Sequence, residues 1–122
     1  NAFGKSVYVE SESFIDVVTA ISGSGPAYVF YFAGVLSKIG LNQGLSKKNA
    51  NALAIETIIG SARLLEMSNI DPKILKENVS SPGGTTEAGL EILASYDYGL
   101  YDLLNKTVDA AKKRADDLNS NH

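Results

Sequence analysis

Ala52-Leu53-Ala54-Ile55-Glu56-Thr57-Ile58-Ile59-Gly60-Ser61-Ala62 carries one charge, on Glu56, and is otherwise apolar or small around almost the whole circumference of a helix. A helix of that kind has to be enclosed on every side. Its small residues, Ala52, Ala54, Gly60 and Ala62, allow another backbone to approach closely. Ser46 is placed to cap it, and the helical stretch runs to about Met67. Upstream stands a second apolar helix. Pro26 suits its first turn, because proline has no N–H to leave unpaired, and the helix reaches about Gly40. Two such helices are hard to enclose within a single chain of 122 residues. A second copy would supply the missing cover, so the expected architecture is all-α: a helical bundle with an interlocked dimer core.

The segments on either side fit this frame. Lys5 to Glu10 alternates like a short strand with Val7 and Val9 on one face, and no later segment offers it a partner. A lone strand leaves its ladder groups unpaired, so this one is read as an orphan from a sheet outside the chain. Ser11 or Ser13 can cap a short helix carrying Phe14, Ile15, Val17 and Val18, ending before Ser22. Asp71-Pro72 is a cap followed by a first-turn proline, predicting a helix to about Val79. Another helix is predicted from Glu87 to about Ala94. A last one is capped by Asp97, with Leu100, Leu103, Leu104, Val108 and Ala111 as its apolar stripe. Lys112, Lys113 and Arg114 suit the C-terminal half of that helix and read as a solvated end.

Composition removes several kinds of chemistry. The chain has no Cys, and its one His is His122, the last residue. Disulfides, thiolate nucleophiles and cysteine-held metals are excluded, and histidine catalysis or any metal site is not expected. A net charge of −3 argues against a nucleic-acid footprint. No charge occurs between Asp16 and Lys38, but Ser22-Gly23-Ser24-Gly25-Pro26 interrupts that stretch. The apolar run left after it is about half of what a membrane span needs. No targeting element is read, which makes a cytoplasmic location the expectation.

Chemistry then has to rest on hydroxyls, carboxylates, amines and backbone. Ser80-Ser81-Pro82-Gly83-Gly84-Thr85-Thr86 is the most informative segment. Pro82 stiffens it, Gly83 and Gly84 open dihedrals closed to other residues, and Thr85 or Thr86 can cap the following helix. Such a turn offers N–H groups and hydroxyls at the positive end of a helix, a receptor for a carboxylate or phosphate. A plain helix-connecting turn explains the same residues, and composition alone favours that reading. Ser22 to Pro26 also sets glycines and hydroxyls before a helix, but it matches neither the dinucleotide fingerprint nor the Walker sequence. Glu56 is either a carboxylate of raised pKa or, more simply, one that is paired or reaches solvent. Tyr28, Phe30, Tyr31 and Phe32 read as core or dimer interface, since no basic residues interleave with them.

In order, Val18-Thr-Ala-Ile-Ser-Gly-Ser-Gly-Pro-Ala-Tyr28, Gly40-Leu-Asn-Gln-Gly-Leu45, Gly60-Ser-Ala-Arg-Leu-Leu-Glu66 and Val79-Ser-Ser-Pro-Gly-Gly-Thr-Thr86 resemble the C-terminal domain of pyrroline-5-carboxylate reductases. The resemblance covers about Gly4 to Leu118. It implies a helical domain, residues 11–122, that dimerises by interlocking helices and builds rings of dimers. Residues 1–10 would be the remnant of an N-terminal Rossmann domain that binds NADPH or NADH. No glycine-rich dinucleotide loop occurs in these 122 residues, so the chain alone is expected to be inactive. The implied reaction is hydride transfer from the nicotinamide to the C=N carbon of pyrroline-5-carboxylate, giving L-proline. Implied too is a substrate site at Ser81, Gly83, Gly84, Thr85 and Thr86, where Ser81 Oγ and the N–H groups of Gly84 and Thr85 hold the carboxylate. Thr86 Oγ would meet the ring nitrogen as the catalytic group, and Ser24, Gly25 and Pro26 would lie near the cofactor.

Two stretches differ from the family's usual pattern. Glu87 follows Thr86 where relatives often carry an apolar or small residue; its charge suits a helix start and weakens anion binding if turned inward. Ser95-Tyr-Asp-Tyr-Gly-Leu-Tyr101 replaces the more usual glycine-rich, arginine-containing turn. The alternatives are a helical assembly module without ligand, and the substrate domain of another Rossmann-linked dehydrogenase.

Overall fold

The computed structural model describes residues 12–120, and the strand expected at Lys5–Glu10 lies outside them. Six α-helices and one π-helical turn follow in order: α1 (Glu12–Val18), the π turn (Thr19–Gly23), α2 (Gly25–Asn42), α3 (Lys47–Ser68), α4 (Pro72–Asn78), α5 (Thr85–Leu93) and α6 (Leu100–Ser120). No strand occurs among the described residues, and none of their helices is long and apolar enough to cross a membrane. The all-α reading holds.

Local chemistry explains most of the boundaries. Ser46 accepts the Asn49 N–H at 3.1 Å and opens α3. Asp71 accepts the Lys73 N–H at 2.8 Å, with Pro72 in the first turn of α4. Both starts are where the sequence puts them. Instead of ending before Ser22, the first helix widens into the π turn. Pro26 has no N–H to give the Ser22 carbonyl, so the α ladder cannot pass through this point. The wider register runs on as far as Ser24, whose N–H donates to Thr19 O at 2.9 Å.

The chain divides into two compact units, one made of the segment up to Tyr28 together with that from Ile92 on, the other of Val29–Glu91. In the first, α6 packs on α1 and on the π turn, and Ala20 is fully buried. Asp16, itself buried, accepts a hydrogen bond from Asn119 Nδ2 at 3.0 Å. The turn before α6 corrects one expectation: Asp97 does not cap the helix. Gly99 precedes it instead, and its carbonyl accepts the Leu103 N–H at 3.2 Å. A Cβ on Gly99 would lie 2.7 Å from Leu93 O and 2.8 Å from Ser95 N, with the Ser95 carbonyl oxygen closer still. Only glycine fits there.

In the second unit, α2 and α3 form a hairpin with Ala50 and Ala54 buried. A groove of about 210 Å³ is lined by the apolar side chains of Val29, Phe30, Ala33, Ile55, Ile58 and Ile59. Phe30 is 74% exposed and Tyr31 76%. No large side chain among the described residues is fully buried. Within one chain, the enclosure that the apolar helices call for is not achieved.

Candidate functional site

The turn between α4 and α5 is built by the residues that mark it in the sequence. After Asn78, Ser80 ends α4 by donating from N–H to Glu77 O at 3.1 Å and from Oγ to Lys76 O at 2.6 Å. Ser81-Pro82-Gly83-Gly84 then turns the chain. Gly84 N–H donates to Ser81 O at 2.9 Å, and Gly83 sits at φ +73°. Proline followed by a glycine at positive φ is the pattern of a type II turn, and the proline ring presets the first of those two conformations.

α5 starts directly after this turn, with the Gly84 carbonyl accepting the Ala88 N–H at 3.2 Å. Thr85 and Thr86 are therefore its first two residues, not its caps as the sequence suggested. The glycine takes the capping place and leaves both hydroxyls without hydrogen bonds among the described residues. The N–H groups of Thr85 and Thr86, in the first turn, point out of the helix. Ser81, Gly83, Thr85 and Thr86 are exposed and Gly84 is half-buried. One short turn thus gathers three hydroxyls and two free N–H groups at a positive helix end, a donor set for a carboxylate or phosphate. The Gly84 N–H is engaged within the turn. Gly83 N–H donates to Glu87 Oε1 at 3.2 Å, so the one acidic group in the first turn of α5 leans back over the loop.

Ser24, Gly25 and Pro26 belong to the other unit. Ser24 closes the π turn, and its carbonyl accepts the Ala27 N–H at 3.0 Å; Gly25 and Pro26 begin α2. Glu56 is exposed on α3, a carboxylate that reaches solvent. Among the described residues no three His, Cys, Asp or Glu side chains gather as metal ligands. The substituted turn at Ser95–Tyr101 presents Tyr96, Tyr98 and Tyr101 almost fully to solvent and borders a groove of about 380 Å³. A further groove of about 490 Å³ lies by Ser37, Lys47, Lys48 and Asn51. Sequence reasoning missed it, because its residues come together only once α2 and α3 pair.

Residues 12–118 match the family described as pyrroline-5-carboxylate reductase dimerisation. Over 118 residues the chain is 36% identical to pyrroline-5-carboxylate reductase of Pseudomonas aeruginosa, covering 97% of this chain and 42% of that protein. It is 39% identical over 112 residues to the enzyme of that name from Arabidopsis thaliana, covering 92% and 40%. Among solved structures, the Coxiella burnetii pyrroline-5-carboxylate reductase superposes with a TM-score of 0.84 at 38% identity, over 92% of this chain and 41% of that one. The Plasmodium falciparum pyrroline carboxylate reductase, solved with NADP bound, gives 0.77 at 36% identity, over 85% and 39%. The chain spans about 40% of the length of these relatives.

Proposed function

The chain belongs to the pyrroline-5-carboxylate reductase dimerisation family, and we propose that it is the substrate-holding, dimer-forming part of a cytoplasmic reductase that uses NADPH or NADH to convert 1-pyrroline-5-carboxylate into L-proline. The observation that carries this reading is the Ser81–Thr86 turn, with its serine hydroxyl and the free N–H groups that open α5. Ser81 Oγ and the Thr85 N–H hold the substrate carboxylate. The Gly84 N–H joins them by sharing its bond to Ser81 O, and Gly83 keeps the turn open. Thr86 Oγ, free of internal partners, accepts a hydrogen bond from the protonated ring nitrogen.

A protonated imine is already electrophilic, so the protein's task is mainly orientation. When bound, the reduced nicotinamide supplies the hydride. The C=N carbon gains that electron pair, the π pair moves onto nitrogen, and the proton already there stays under Thr86 Oγ. Ser24, Gly25 and Pro26 border the nicotinamide end. In this reading residues outside these 122 hold most of the cofactor.

A second copy covers α2 and α3. The exposure of Phe30 and Tyr31 and the apolar groove beside them support that homodimer, which can assemble further into rings of dimers. A sizing experiment at micromolar concentration is expected to give a dimer, and a monomer would remove this support.

The purified 122-residue chain is expected to show no pyrroline-dependent NADPH oxidation. In the enzyme joined to its nucleotide domain, Thr86→Ala should lower kcat by about 10- to 100-fold, with Thr86→Ser retaining most of the rate. An unchanged kcat in Thr86→Ala overturns the role given to Thr86. Loop amides that do not move under millimolar L-proline would favour an assembly module without ligand.

A further inference from the structure

We infer that Glu87 is a specificity-determining residue of the loop: its carboxylate is a resident anion that an incoming carboxylate has to work against, which lowers affinity for ligands that carry a carboxylate relative to those that lack one. This rests on the substrate site proposed above and concerns how that site is tuned.

The position of Glu87 in the third place of α5 has two consequences. A carboxylate there interacts favourably with the helix dipole and can bond an N–H ahead of the helix, which stabilises the start. Here that N–H is Gly83's, at 3.2 Å from Glu87 Oε1. Gly83 lies inside the turn that offers Ser81 Oγ and the N–H groups of Thr85 and Thr86, so the side chain is turned toward the loop and not away along α5. No Lys or Arg among the described residues pairs with Glu87 to cancel its charge. A ligand carboxylate seated on the same turn therefore sits within a few ångströms of a like charge, and the two compete for the same positive helix end. Substrate can still bind, because the site is exposed and solvent screens the repulsion. The net effect is a moderate and charge-selective weakening.

Two substitutions separate this effect from simple capping. Glu87→Gln keeps an oxygen that can accept the Gly83 N–H while removing the charge. Glu87→Ala removes both. Amide chemical shifts of Gly83 to Thr86 are followed by NMR in this chain as L-proline is titrated in, and again with L-prolinamide, which has the same ring without the carboxylate. Glu87→Gln is expected to tighten L-proline by about three- to tenfold and not to tighten L-prolinamide, which keeps the ring ammonium but has no carboxylate to repel. Equal L-proline midpoints in wild type and Glu87→Gln, or equal tightening of both ligands, overturn the role given to Glu87 while the loop remains the carboxylate site. Loop amides that do not respond to L-proline in any of the three proteins overturn the substrate-site reading and this inference together.

Discussion

The two turns that lead into α5 and α6 are both closed by glycine, and they use it in opposite ways. Before α5, Gly83 supplies a positive φ and has nothing within reach of an added Cβ, so the turn stays open with its donors facing solvent. Before α6, Gly99 is buried and pressed against the backbone of Leu93 and Ser95, so the turn is shut. One glycine keeps backbone available to a ligand, and the other lets two backbone segments touch. A glycine ahead of a helix is therefore not by itself a sign of a binding loop; what surrounds it decides.

Substitutions can break or sharpen this contrast. Gly99→Ala should be the most damaging, since backbone atoms cannot move aside as a side-chain tip can. A loss of about 3 kcal/mol is expected by denaturant unfolding, and a loss below about 1 kcal/mol would mean that the second turn is not closed. Gly83→Ala should cost less, about 1–2 kcal/mol, from strain at positive φ without any clash. Ser81→Ala should leave unfolding within about 0.5 kcal/mol of wild type yet weaken L-proline binding by about tenfold. If Ser81→Ala instead destabilises the chain with no change in ligand affinity, the open turn is structural and the contrast with Gly99 disappears.

The parts of the fold legible in the sequence are those set by short-range chemistry. Ser46 and Asp71-Pro72 mark helix starts because a side-chain oxygen reaches an N–H two or three residues on, an interaction contained within the motif. Thr85, Thr86 and Asp97 were expected to act the same way, but Gly84 and Gly99 take the places before α5 and α6. A glycine cap has no side-chain signature, and the pressure that requires Gly99 comes from backbone folded against it. The π turn at Thr19–Gly23 was hidden for a related reason. Serine, glycine and proline read as a break, whereas the backbone ladder only widens by one residue and carries on. The loop at Ser81–Thr86 was visible as a donor set from its composition. Which of its N–H groups are free was not, because Gly84 and Gly83 are engaged by Ser81 and Glu87 only once the turn has formed. The need for a partner was legible from Ala52–Ala62, because an excess of apolar surface is a property of the residues themselves.

The hydrogen bond from Asn119 to Asp16 joins positions 103 apart in sequence. As the ribosome extends the chain, α1 is made early and has to wait for α6 before that link can close, while Val29–Glu91 emerges in between as one stretch. The hairpin of α2 and α3 is complete long before then. The order of synthesis thus favours an early hairpin and a late clasp, with the entropy of closing a long loop falling on the last step.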